Sequence, residues 1–285
     1  VEVEKEKGFK SKQDIETYGI GPFVEDCKSR VLRFSERITD QSKRLGYFMD
    51  WDNSYQTMSD ENNYTIWLFL KRCYEQGWIY EGEDVMPWCP RCGTGLSQQE
   101  IITEGYQETV HPGFFVKFPL SDRKGESLLV WTTTPWTLVA NIAAAVNPDQ
   151  QYVQVENKYN LNGEEQSELL WLGSKCLAVL KGTYEIKKTI KGSNLVGWEY
   201  NGPFDDLPAQ QEINRKHRVL RWNEVSEEEG TGIVHIAPGA GAEDFKLGKE
   251  NNLPIIAPLN DNGEYIKGFG FLSGQYVGDV NNQIF

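Results

Sequence analysis

LLVWTTTPWTLVANIAAAV, residues 128–146, is the stretch on which the reading of this chain turns. It opens with a β-branched and aromatic run, 128–134, of the kind that favours a strand. Pro135 then ends the ladder, because it has no N–H to donate and it restricts Thr134 to extended geometry. Three successive hydroxyls (Thr132, Thr133, Thr134), a fourth at Thr137 and the carboxamide of Asn141 are thereby crowded, with Trp136, around one break in the chain. Neutral donor-acceptors gathered this way suit a polar, uncharged ligand group such as a ribose, an ester or a water nucleophile. A Thr-rich edge strand has the same composition.

Downstream, GTGIVHIAPGAGAEDF (230–245) reads as strand 233–237, a glycine turn 238–241, then a helix 242–251. It has the outline of a dinucleotide fingerprint, and its chemistry opposes that reading. Asp244 stands at the third glycine position with Glu243 beside it, and two carboxylates in a first helical turn stabilise the helix while repelling a pyrophosphate. An ammonium group suits that place, so Asp244 is a candidate anchor for an α-amino group. His235 alternates with Val234 and Ile236 and points away from them; a lone strand histidine is also a common structural residue.

Outward from these motifs, short apolar stretches at 113–118, 128–134, 152–155, 168–172, 175–180, 184–190 and 219–222 are broken by Gly, Pro and Asn. They predict a β sandwich or barrel. LPIIAPL (253–259) reads as a further strand between prolines, 261–263 as a turn and 268–280 as a glycine-rich closing loop. The preceding region is helical. Residues 1–30 read as a charged lead-in, a loop at Gly19, Gly21 and Pro22, and a helix start. Val24, Cys27, Val31, Phe34 and Ile38 then mark one face of an amphipathic helix from 23 to 45, and Ser59 or Asp60 caps a second one running to Gly77.

Between the two regions, VMPWCPRCGTGLSQQ (85–99) contains a Cys89-Pro-Arg-Cys92 knuckle. Two thiolates are half of a four-ligand structural zinc site; no second CxxC follows, and the spacing of His111 does not assign it. Cys27, Cys73 and Cys176 lie in apolar patterns and are expected in the core.

A net charge of −13 opposes broad, nonspecific nucleic-acid binding, so any RNA contact is expected to be local. Lys187, Lys188 and Lys191, and the run Arg215, Lys216, His217, Arg218, Arg221, are the candidates, each of which also reads as a solvated strand face. No apolar run is long enough to span a membrane, and scattered cysteines fit a reducing, cytoplasmic compartment. Beginning at Val1 without an initiator Met, the chain is expected to be a fragment, and a monomer.

TTTPWTLVAN closely resembles the threonine-rich peptide of the editing domain in the isoleucyl-tRNA synthetase family, and GTGIVHIAPGAGAEDF is similar to that family's second editing motif. Valine and leucine relatives tend to carry Arg where this chain has Thr134, and they lack the Pro-Trp pair; the family's usual Pro before Ala-Asn is Val139 here. The resemblance implies an α+β chain: helices from the edge of a truncated class I catalytic domain (1–84), a CxxC zinc-ribbon half with Cys89 and Cys92 (85–106), and a mainly β editing barrel (107–285). It implies that Thr132, Thr133, Thr134, Trp136, Thr137 and Asn141 hold the terminal adenosine and the scissile ester or its attacking water. On the same resemblance, His235 limits the side-chain pocket and Asp244 holds the substrate amino group. The expected substrate is isoleucine tRNA mischarged with valine, with valyl-adenylate as a second candidate; no cofactor is needed, and the remainder of the synthetase is the expected partner. HIGH-type and KMSKS-type signatures, through which the family binds ATP and activates amino acids, do not occur in these residues. The alternative is a noncatalytic tRNA- or partner-binding module that depends on the synthetase body.

Overall fold

Strand formation at the threonine stretch stops where the hydroxyls begin to crowd: the strand is Glu126–Thr132, and Pro135–Ala140 is a 3₁₀ turn with Pro135 at its start. This is seen in a computed structural model, which describes residues 1–108, 112–213, 215–228, 230–280 and 283–284; His111 lies outside them. The chain forms two compact units, Val1–Glu83 and Asp84–Phe285.

The first unit is helical: α1 (Glu2–Lys7), α2 (Lys12–Tyr18), α3 (Ile20–Arg44) and α4 (Asp60–Glu75). The expected loop at Gly21 and Pro22 is instead the first turn of α3. There the amide that proline lacks would have had no intrahelical partner anyway. Ser59 caps α4 as its sequence position predicts, its hydroxyl accepting from the Asn62 amide at 3.3 Å. Neither long helix buries a residue; Cys27 and Cys73, expected in a core, are only half-buried.

The second unit opens with the hairpin β1 (Trp88–Cys89) and β2 (Thr94–Gly95), then the single turn α5 (Gln98–Glu100). Its body is β3 (Phe114–Pro119), β4 (Glu126–Thr132), β5 (Ala143–Val146), β6 (Gln151–Leu161), β7 (Glu164–Gly173), β8 (Thr183–Lys191), β9 (Glu199–Tyr200), β10 (His217–Arg221) and β11 (Ile233–Ile236). Two short helices complete it, α6 (Pro208–Gln211) and α7 (Ala242–Glu250).

The α+β class is as expected, and the barrel is not. Apart from the β1–β2 hairpin, the described strands form two open sheets, β3-β4-β7-β6-β8 and β11-β5-β10-β9. They face each other across a core of Phe118, Leu128, Val130, Tyr152 and Trp171 from the first sheet and Ala144, Val146, Val219 and Ile233 from the second. The outer face of the smaller sheet packs Ala143, Ala145 and Ile236 against Leu247 of α7. The 3₁₀ turn after the threonines joins Val139 and Ala140 to a further cluster with Ala237, Tyr265, Phe269 and Leu272.

Two predicted strands are absent. Residues 175–180 contain a 3₁₀ turn, Leu177–Val179. At 253–259 only an isolated bridge, Leu259 to Tyr265, is made, since Pro254 and Pro258 cannot donate to a ladder. No helix among the described residues is long and apolar enough to cross a membrane.

Candidate functional site

Folding brings the two motifs into direct contact. His235 sits on β11, whose partner β5 follows the threonine peptide, with His235 opposite Ala144. The Thr137 hydroxyl lies 2.9 Å from His235 Nε2 although the residues are 98 apart in sequence. The same hydroxyl is 2.8 Å from the Thr134 carbonyl, which also accepts from the Thr137 amide at 3.1 Å.

The other threonines differ in availability. Thr132 is buried at the end of β4, and its oxygen accepts from the Thr134 amide at 3.0 Å, closing the turn before Pro135. Thr133 is exposed and Thr134 half-buried, their hydroxyls 3.5 Å apart. The open hydroxyl face of the peptide is therefore Thr133–Thr134. Asn141, a predicted ligand, faces inward instead. It is 1 % exposed, its Nδ2 donates to the Ala143 carbonyl at 2.9 Å, and its Oδ1 accepts from the Tyr200 hydroxyl at 2.7 Å. Its work is to hold the start of β5.

His235 is half-buried by surface area, but its Nδ1 lies within protein and has no hydrogen-bond partner among the described residues. Burial pushes its pKa down to about 4, so it is a neutral imidazole at physiological pH. Asp244 lies in the first turn of α7, behind Gly241. Its Oδ2 accepts from the Ala237 amide at 2.8 Å, tying the helix start to the end of β11. Burial raises its pKa to about 6; the Ala237 amide works against the shift and Glu243 adds to it. Its other oxygen makes no hydrogen bond among the described residues, so it can accept one from a ligand.

Trp136 belongs to a different surface. With Gly239 and Ala240 of the second motif, and Met86, Pro87, Trp88 and Pro90 of the β1–β2 hairpin, it lines a largely apolar cavity of about 390 Å³. Trp88 is fixed there by donation of its indole N–H to the Asp261 carbonyl at 2.8 Å, and the Trp136 carbonyl accepts from the Tyr265 hydroxyl at 3.0 Å. Composition and spacing gave no sign that the hairpin would share a cavity with both motifs.

Cys89 and Cys92 sit in that hairpin, where the Gly93 amide donates to the Cys89 carbonyl at 2.8 Å. Among the described residues no third His, Cys, Asp or Glu joins them. Among the described residues the two thiolates supply half of a closed four-ligand zinc site.

The basic run of 215–221 does not form one face. His217 is buried between the Asp205 carboxylate (Nε2, 2.7 Å) and the Ile142 carbonyl (Nδ1, 3.0 Å), stacked on Tyr200. Desolvation alone would lower its pKa, but the Asp205 hydrogen bond and the Ile142 carbonyl outweigh it and the net shift is upward. With an acceptor at each nitrogen the ring donates twice, so it is the imidazolium that fits.

Comparison with known proteins bears on the chain as a whole. The family described as tRNA synthetases class I (I, L, M and V) matches residues 1–226. The isoleucine–tRNA ligase of Pyrococcus furiosus is 40% identical over 292 residues, taking in 100% of this chain and 27% of the relative. That of Pyrococcus abyssi is 41% identical over 292 residues with the same coverage, 100% and 27%. The chain thus spans about a quarter of the length of the curated relatives it matches. Among solved structures, the Plasmodium knowlesi cytosolic leucyl-tRNA synthetase editing domain aligns at a TM-score of 0.40 and 16% identity, over 49% of this chain and 64% of that one. From a family match that covers residues 1–226, well over half of it, the chain belongs to the class I tRNA synthetases, in the group for I, L, M and V.

Proposed function

We propose that this chain carries the editing site of an isoleucyl-tRNA synthetase, which hydrolyses valine from mischarged isoleucine tRNA and accepts valyl-adenylate as a second substrate. The observation that carries the proposal is the 2.9 Å contact between Thr137 and His235, which unites the two motifs, with Asp244 tied to Ala237 two residues beyond His235. A single methylene gives a binding pocket only about 1–3 kcal/mol of discrimination, a limit for which isoleucine and valine are the standard illustration, so a second, hydrolytic site has a purpose.

In this reading the ionised Asp244 accepts from the substrate ammonium group. The hydroxyls of Thr133 and Thr134 hold the ester and the attacking water, and a threonine hydroxyl donates to the tetrahedral oxyanion. His235, neutral and wedged against Thr137, bounds the acyl pocket by its bulk. The apolar cavity beside Trp136 takes the terminal nucleoside. None of these steps calls for a metal or cofactor.

The test is release of valine from valine-charged isoleucine tRNA, with isoleucine-charged tRNA and Asp244→Ala in parallel. Selective release of valine, lost in the variant and absent with an N-acetylated substrate, is the expected result. The net charge of −13 favours the other reading, a noncatalytic module that binds only with the rest of the synthetase. Folded protein that releases neither amino acid would establish that reading instead.

A further inference from the structure

We infer that Arg215 and Arg218 form a docking site for a backbone phosphate of the RNA strand that leads to the hydrolytic site; the inference rests on the editing reading above. The residues of the basic run meet separate fates. His217 is buried against Asp205, and Lys216 is ion-paired with Glu199 at 2.5 Å. Arg221, at the end of β10, is also exposed but does not line the cavity described below. Arg215 and Arg218 are exposed and form no ion pair among the described residues. In the other basic stretch Lys187 is neutralised by Glu156 and Glu185, and Lys191 by Asp149, which leaves Lys188 as a single exposed cation with no ion pair among the described residues.

The two arginines also line a shared space. With Lys216, Ile142, Asn251 and Leu253 they line a cavity of about 150 Å³. That is below the usual range for a pocket holding a whole small-molecule ligand, and it suits one tetrahedral oxyanion. One Arg215 nitrogen donates to the Asn252 carbonyl at 2.8 Å, which fixes the side chain while leaving most of its donors available. A guanidinium fork matches the paired oxygens of a phosphate, and both arginines belong to the lining of this one cavity.

Position in the fold connects this cavity to the proposed chemistry. Arg218 lies opposite Ala143 on β5, and Ala143 lies opposite Ile236 at the end of the His235 strand. Helix α7 begins with Asp244 in its first turn and ends beside Asn251 at the cavity; its nine residues span about 13 Å. Ammonium anchor and phosphate site thus stand at the two ends of one short helix. In a chain of net charge −13 a phosphodiester strand needs such a local exception to approach.

The test is fluorescence anisotropy of an uncharged RNA hairpin with a four-nucleotide single-stranded 3′ end, titrated with the whole chain over a range of salt, beside a blunt-ended hairpin. Arg215→Gln and Arg218→Gln are each expected to weaken binding of the overhang several-fold and to reduce the log–log salt slope by about 0.7, the share of one single-strand phosphate. Lys187→Gln, which removes an already neutralised charge, is expected to bind as the parent does. Circular dichroism melts of both arginine variants should match the parent, since both side chains are exposed. Unchanged binding in both variants overturns the assignment; so does an equal loss in Lys187→Gln, or an equal effect on the blunt hairpin. Because the RNA is uncharged, arginine-dependent binding without valine release would refute the editing reading alone, and valine release with arginine-independent binding would refute the docking site alone.

Discussion

Asp244 is held where its charge is costly. Its folded-state pKa of about 6 lies above the ordinary 3.8, so the folded protein binds its proton more tightly than the unfolded chain does. The stabilisation from that proton is fully present below about pH 4 and is lost as the pH rises through 6. Asp244→Asn keeps a carbonyl oxygen for the Ala237 amide and carries no charge. It is therefore expected to be more stable than the parent above pH 6, by up to about 3 kcal/mol, and equal to it near pH 3.5. Urea denaturation at the two pH values measures this, and the same variant should lose valine release. A variant that is destabilised at pH 7 would contradict the burial argument. His235 gives the complementary case. Its ring C–H signals should titrate near pH 4 by NMR, so the hydrolysis profile should show an acid limb near 6 from Asp244 and none from His235.

At the scale of elements, the threonine peptide is positioned by the segment after it, whose carbonyls are taken up by buried side chains. Gln210 of α6 donates to Val139 and Asn141 at 2.8 and 2.9 Å, Asn141 to Ala143, and His217 to Ile142. Raised above its ordinary value, the His217 pKa gives a stabilisation present in full below pH 6.5 and lost as the pH climbs through the folded-state value. The stability gap between the parent and His217→Gln, read from urea melts, should thus narrow from pH 6 to pH 9. A gap that widens would show the ring to be neutral. The glycine turn has an equally local requirement: a Cβ at Gly239 would run into the Ile256 carbonyl, so Gly239→Ala should cost about 2 kcal/mol or more and loosen the Ala237–Asp244 link. These elements were unequally legible in the sequence. The strand before Pro135, the Ser59-capped helix and the β11–α7 unit were readable because period, cap and turn are local signals. β5 was not, since Ala143, Ala144 and Ala145 have little strand preference of their own. They are drawn into a strand by β10 on one side and β11 on the other. Asn141 and His217 were read as ligands or surface cations because Tyr200 and Asp205, which turn them inward, lie elsewhere in the sequence.

For the molecule as a whole, the two units differ in what holds them together. Asp84–Phe285 has a core between two sheets and further clusters on their outer faces. In Val1–Glu83 the only buried hydrophobic side chain among the described residues is Val3, while Ile38, Tyr64, Trp67, Phe69 and Trp78 are exposed. What links α1 and α2 to α3 is largely polar: Arg30 with Glu6, and Lys7 with Asp26 and Tyr18. Surface ion pairs of this kind contribute about 0–1 kcal/mol each and weaken with salt. They cannot offset the entropy of ordering eighty-odd residues at roughly 1–2 kcal/mol apiece without apolar burial. Monomeric soluble proteins rarely expose apolar surface on this scale, and the curated relatives are about four times as long as this chain. A peptide of residues 1–83 is therefore expected to show helical far-ultraviolet dichroism, strong binding of a hydrophobic dye and no cooperative melt, with its helicity falling as salt rises. Residues 84–285 are expected to melt cooperatively, with structured near-ultraviolet dichroism from Trp171 and Trp198, whose rings meet edge to face in the core. A sharp, salt-independent transition in the 1–83 peptide would mean that its helices bury a core of their own, and the exposed aromatic side chains would then need another explanation.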